Sequence, residues 1–215
     1  MGYKFLLVVP RVPLDPFVWK AIWSTKCLLK VDLFILTLAH RSILTGDNLK
    51  RRGWEGPTRC PLFRLEEEFV DQLLLICPFA REVWNLSLDL WSAQIILPKD
   101  VPYLLGGWRA LCPFSLIKKE QLKICWLTLP KFILWKLWLE RNVRIFRDKA
   151  STPAQVVLKA KALLGECLPY FSRPKVEISL PPIEAQWIES ISPSIPITVP
   201  LPVCFFKLGN SSRAG

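Results

Sequence analysis

The sequence predicts a mostly α-helical protein, a small irregular helical domain followed by a Pro-rich extended tail. Three observations predict it. Apolar residues repeat at helical spacing, as in Val31, Phe34, Ile35 and Leu38. Asp15-Pro16 and Thr152-Pro153 are helix starts, each an N-cap acceptor followed by proline at the first helical position. After Pro169 the composition changes, and Pro174, Pro181, Pro182, Pro193, Pro196, Pro200 and Pro202 leave no room for a regular element. The 51% apolar content and ten Trp are ample for a core, so the 215-residue chain is not globally disordered.

The first helix is expected over 16–24, with Phe17, Val18, Ala21 and Ile22 repeating at helical spacing. The second runs from Lys30 to His40, and Arg41 marks its end, where a cation is favoured. Thr45 caps a third that reaches Arg52 and stops at Gly53. Gly56-Pro57 is a turn. Phe69 to Ile76 is helical, and Pro78 opens a helix with Phe79, Val83, Leu86 and Leu90 along one stripe. Pro98, Pro102, Gly106 and Gly107 make Leu97 to Cys112 a loop. Ser115 to Lys149 is the longest helical segment, kinked at Pro130, where a backbone hydrogen bond is lost. A last helix runs from Thr152-Pro153 to about Cys167. The chain therefore divides into an N-terminal segment 1–15, a domain 16–92, a loop 93–114, a helical extension 115–168 and a Pro-rich tail 169–215.

Within 16–92 the residues trace a metal site with two ligands replaced. A zinc knuckle gathers four donors in a tetrahedron, commonly as Cys-x2-Cys followed by His-x4-Cys. Cys60 and Cys77 occupy the first and last positions, Phe63 the second and Gln72 the third. A phenyl ring cannot ligate zinc, and an amide is a poor ligand beside thiolates. Asp71 or a glutamate among 66 to 68 could be recruited as an oxygen donor, but two buried thiols are the preferred reading, and no cofactor is expected. His40, the single histidine, falls outside the pattern.

The wider frame resembles the zinc-binding region C-terminal to the reverse transcriptase in plant LINE-type (non-LTR) retrotransposons. The resemblance is carried in order by Trp19-Lys20-Ala21-Ile22-Trp23, by Lys30-Val31-Asp32-Leu33-Phe34, and by the stretch from Leu44-Thr45 through Asn48-Leu49 to Arg52-Gly53. It continues through Cys60-Pro61-Leu62-Phe63, the acidic run Glu66-Glu67-Glu68, Gln72-Leu73-Leu74 with Cys77, and Ala80-Arg81-Glu82-Val83-Trp84. Trp138-Leu139-Glu140-Arg141-Asn142-Val143-Arg144-Ile145-Phe146 is similar to a segment that follows in those elements. The set covers roughly residues 16 to 150. It implies a non-catalytic region whose ancestral role is nucleic-acid binding, here with a degenerate zinc site at Phe63 and Gln72. In those elements the polymerase lies upstream. Residues 206–215 look like the opening strand of a ribonuclease H domain, with Asn210 where that strand carries an Asp metal ligand. That activity is not expected of this chain.

Charge points the same way. The net charge of +11 on an aromatic-rich chain suits a polyanionic partner, RNA or DNA, bound without sequence preference. Lys50, Arg51, Arg52 and Arg59 flank the knuckle frame, and Arg141, Arg144 and Arg147 share a helix face at three-residue spacing. Trp138 or Phe146 could add base stacking, although the apolar neighbours Phe132, Leu134 and Leu139 favour Trp135, Trp138 and Phe146 as core. The other readings are a protein–protein interaction module, with exposed Trp and the Pro-rich tail as contact surfaces, and a decayed relic without selected function. No nucleophile elbow, phosphate-cradling glycine loop or paired catalytic carboxylates are present, so no enzyme is expected.

Seven scattered cysteines without a Cys-x2-Cys pair fit a reducing nuclear or cytoplasmic compartment rather than a disulfide scaffold. Gly2 to Val9 is apolar but short, and Pro10-Arg11 follows, so no signal peptide is read. Ile124 to Leu139 is interrupted by Pro130, Lys131 and Lys136, so no membrane span is expected.

Overall fold

The computed structural model describes residues 15–25, 28–113 and 120–171. Most of the tail expected at 169–215, and with it the ribonuclease H-like stretch, lies outside the described residues. So does most of the segment 1–15.

Helix α1 spans Pro16–Trp23 and α2 spans Leu29–Ala39. The face of α2 predicted from spacing, Val31, Phe34, Ile35 and Leu38, is buried. Arg41 lies just beyond its end at φ 53, and Ser42 N–H reaches back to the Thr37 carbonyl, closing the last turn. Helix α3 covers Gly46–Arg51, and Gly53 follows it at φ 85, a conformation that favours glycine. Thr45 holds the N-cap position, but its hydroxyl donates to Asp47 rather than capping a backbone N–H. The buried Asn48 amide instead ties down the preceding turn, donating to the Arg41 and Ile43 carbonyls.

A π-helical turn at Gln72–Ile76 leads into α4, Pro78–Asp89. The buried stripe of α4 is Ala80, Val83, Trp84, Ser87 and Leu88, whereas Leu90 is exposed. Of the predicted stripe, Val83 is buried, Phe79 and Leu86 pack against the core partly buried, and Leu90 alone is exposed, while Trp84 turns inward to donate its indole N–H to the Leu74 carbonyl of the π turn.

The segment expected as a loop at 97–112 contains a helix. Helix α5 covers Val101–Gly107, and a 3₁₀ turn at Trp108–Leu111 completes it. Asp100 caps it by accepting from Tyr103 N–H, and Pro102 falls in the first turn, where its missing N–H costs nothing. Pro102, which reads as a breaker, therefore sits where it starts the helix.

Helix α6 spans Glu120–Arg147 and continues through Pro130. That proline lacks the N–H that would bond the Trp126 carbonyl, and the indole of Trp108 donates to this carbonyl instead, at 2.8 Å. Helix α7 spans Pro153–Phe171. At its start Thr152 and Gln155 exchange side chain to backbone hydrogen bonds, a reciprocal capping box. It passes Pro169, set at the opening of the tail in the sequence, because a proline in the last turn removes a single bond.

The fold is mostly α, and among the described residues the β pairing is an isolated bridge between Arg59 and Glu67. Helices α6 and α7 pack together, α4 packs on α7, α1 on α5, and α2 on α6. Trp84, Trp108 and Trp126 form an aromatic centre in which Trp108 and Trp126 stack at 4.9 Å. Phe34 of α2 sits against Trp135 and Trp138 of α6. Inside this core Lys131 pairs with Asp32 and donates to the Ile22 carbonyl, fastening α6 to α2 and α1. No helix among the described residues is long and apolar enough to cross a membrane.

Candidate metal centre and the hairpin that carries it

The frame is built on a short hairpin. Glu68 N–H donates to the Thr58 carbonyl and Cys60 N–H to the Glu66 carbonyl, on either side of the Arg59–Glu67 bridge. The tip turns at Pro61–Leu65, where Arg64 N–H closes onto the Cys60 carbonyl and Arg64 takes φ 62. The π turn and the start of α4 bring Cys77 against this hairpin.

Both thiols are fully buried, with their sulfurs 3.8 Å apart. Two sulfurs on a tetrahedral zinc with bonds of about 2.3 Å are separated by about 3.8 Å, so the pair holds the edge length of a metal site. The N–H groups of Leu62 and Phe63 bond Cys60 Sγ, and those of Phe79 and Ala80 bond Cys77 Sγ. Sharing one hydrogen with Cys77 is the main cause that brings the Cys60 thiol down to about 6, with backbone N–H groups adding to it. The same sharing, and then burial, pushes the Cys77 thiol up.

The other two corners do not serve. Phe63 is 44% exposed, and its phenyl ring offers no donor. Gln72 is buried against Cys60 and reaches Glu66 at 3.4 Å, but its Oε1 has no partner among the described residues. Two of the carboxylates that could be recruited are engaged elsewhere. Asp71 bonds Arg41 and Val101 N–H, and Glu68 bonds Arg141 and Gly46 N–H. No group of three or more His, Cys, Asp or Glu side chains gathers among the described residues. The residues present do not fit four-coordinate zinc. His40 is half-buried at the end of α2, and burial pushes its pKa down.

The cation stripe expected at Arg141, Arg144 and Arg147 does not form. Arg141 is buried and grips both Glu68 oxygens, at 2.7 and 2.9 Å. Arg144 bonds Glu140 and the carbonyls of Leu62 and Ser151, and it lies over the Phe79 ring. The shared face is real, but it is the face that α6 turns toward the hairpin. Arg147 alone of the three is exposed. Phe146, expected in the core, is 76% exposed because it sits off that face. Trp135 and Trp138 are partly buried against the core, as expected.

The cations around the frame are exposed. Arg51 pairs with Asp47, whereas Lys50, Arg52 and Arg59 carry no ion pair among the described residues. Sequence reasoning missed Glu68 as a structural centre. It joins the acidic run, the start of α3 at Gly46, and α6. A Cβ at Gly46 would press on the Thr58 backbone at 3.2 Å, so glycine permits this approach.

Residues 5–84 match the protein family described as zinc-binding in reverse transcriptase. This stretch carries helices α1 to α3, the hairpin and both cysteines, and it ends at Trp84 within α4. No curated protein and no solved structure matches the chain. The region similar to the reverse transcriptase zinc-binding family ends well before α6, yet Glu140, Arg141 and Arg144 of α6 are what hold its hairpin. The segment Trp138–Phe146 lies beyond the matched residues, and its Arg141 and Arg144 clamp the hairpin.

Proposed function

We propose that this chain is a non-catalytic protein derived from a plant LINE-type retrotransposon, with a degenerate zinc site, and that it binds RNA or DNA without reading sequence. The single observation that carries the reading is the match of residues 5–84 to the reverse transcriptase zinc-binding family. The charge supports it. The chain is +11 overall, and Lys50, Arg52, Arg59 and Arg147 stand exposed without ion pairs among the described residues. The absence of catalytic motifs in the sequence supports a binding role rather than a chemical one.

The test is binding of a labelled RNA to the full chain, followed by anisotropy across a salt series. Phosphate contacts release counterions, so log affinity should fall linearly with log salt, by about 0.7 per contact on a single strand. Equal affinity for unrelated sequences is expected. No binding at low salt would overturn the nucleic-acid reading and favour the interaction-module or relic reading.

A further inference from the structure

We propose that the hairpin tip and the connection between α6 and α7 form a seat for one nucleotide of a single strand, with Phe63 stacking on the base and Arg64 and Lys149 holding phosphate. This rests on the nucleic-acid reading and names the surface that serves it. Phe63, Arg64, Arg144, Asp148 and Lys149 line a cleft of about 320 Å³ between these two segments. Small-molecule sites begin at about 300 Å³, so a single nucleotide unit suits it better than a larger ligand.

The chemistry is that of a phosphate-bearing aromatic. Arg64 and Lys149 make no ion pair or side-chain hydrogen bond among the described residues, and Arg147 is exposed close by in sequence. Asp148 is the one carboxylate in the cleft, against two unpaired cations. The Phe63 ring is 44% exposed. It opens onto this cleft, beside Leu65, which is 75% exposed. An aromatic in a cleft lined by cations is the arrangement by which single strands are held, the base on the ring and the backbone on the charges. A duplex keeps its bases stacked on one another, so the ring would find no free face.

The walls are fixed before any ligand arrives. Arg144 donates to the Leu62 carbonyl on the hairpin side and to the Ser151 carbonyl on the helical side, so one guanidinium spans the cleft floor. Asp148 at φ 48 directly follows the end of α6, a left-handed helix terminus that turns the chain into the cleft wall.

The experiment uses the full chain with a labelled uridine oligonucleotide and, separately, a blunt RNA duplex of the same length. Phe63→Ala should weaken single-strand binding between about five- and a hundred-fold, the range of one base stacked on an aromatic, and leave the salt slope unchanged. Phe63→Tyr should restore binding. Arg64→Gln with Lys149→Gln should flatten the slope by about 1.4, two contacts on a single strand. Duplex binding should respond to the charge pair and not to Phe63→Ala. Circular dichroism checks that each variant remains folded. If the parent binds with a salt slope but Phe63→Ala binds as the parent does, this seat is overturned while the nucleic-acid reading stands. If the parent fails to bind at low salt, both are overturned.

Discussion

The hairpin at residues 58–68 is anchored twice, once by the buried thiols and once by α6, and the two anchors differ in kind. At the thiols, two sulfurs lie 3.8 Å apart, and the other two positions of the frame hold an exposed ring and a buried amide with an oxygen that has no partner among the described residues. At α6 the set is complete. Both Glu68 oxygens are taken by Arg141, Gly46 N–H adds a third bond, and Arg144 fixes the carbonyl of Leu62. A hairpin held by bidentate, charge-assisted hydrogen bonds does not need a metal to keep its shape. The clamp at α6 thus holds the hairpin whether or not the thiols carry a metal.

The comparison breaks most sharply at Arg141. Arg141→Ala leaves the Glu68 carboxylate buried without its cation, and removing one partner of a buried ion pair costs about 3–5 kcal/mol. A large drop in the urea midpoint is expected, with loss of near-ultraviolet dichroism from the Trp-rich core. A change near zero would mean the clamp does not hold the fold. A binding assay on Arg141, Arg144 and Arg147 substituted together would therefore report unfolding rather than lost phosphate contacts.

The thiol side should yield less. Cys60→Ala with Cys77→Ala removes two buried sulfurs and the N–H to sulfur bonds around them, a loss in the ordinary range for core changes of about 1–3 kcal/mol. Urea unfolding of this variant should remain cooperative. Failure to fold would show that the sulfurs, and not α6, carry the hairpin.

Acid sharpens the comparison, because the clamp titrates. Burial pushes the Glu140 carboxyl up, but the Ser151 N–H and the Arg144 guanidinium outweigh it and hold the pKa below the ordinary carboxylate value. A lowered folded pKa stabilises the fold above the unfolded value, near about 4.3, and that contribution is lost as pH falls through the folded value. The parent should thus lose stability in acid faster than Glu140→Gln. Parallel curves for the two proteins from pH 6 to pH 3 would refute the contribution.

Local grammar made most helices legible, and its failures are instructive. Asp15-Pro16, Pro78 and Thr152-Pro153 announce starts that the fold uses. Asp100-Val101-Pro102 is the same signal, hidden because Pro98, Gly106 and Gly107 surround it and read as breakers. Pro130 reads as the loss of one helical bond, and nothing local shows that Trp108, remote in sequence, takes the freed carbonyl. At the site, Cys60 and Cys77 were legible because ligand spacing is local. The pairing of Glu68 with Arg141 was not, since nothing in the spacing of Arg141, Arg144 and Arg147 says which side of the helix meets protein. Charge counts alone cannot separate a cation that faces phosphate from one that faces a buried carboxylate.

The smallest expected effect is that of metal on the parent. With Phe63 in the second position and Gln72 in the third, the two thiols are the only soft donors the hairpin gathers among the described residues. Two sulfurs leave zinc short of its tetrahedron, and a structural site contributes folding energy only when closed. The chain should purify without stoichiometric zinc by elemental analysis, and chelator should leave its melting temperature unchanged. One tightly held zinc per chain would refute this. The complementary arm is Phe63→Cys with Gln72→His. The Phe63 N–H already bonds Cys60 Sγ, so the backbone at position 63 lies against the first ligand, and Gln72 already lies against that sulfur. Both missing donors would enter a frame whose sulfur edge is set. The double variant should take up one zinc and melt higher with it than without. A double variant that stays folded but ignores zinc would show that the tip has moved too far from the sulfurs to close the site, and that the 3.8 Å edge is a packing contact rather than a retained metal geometry.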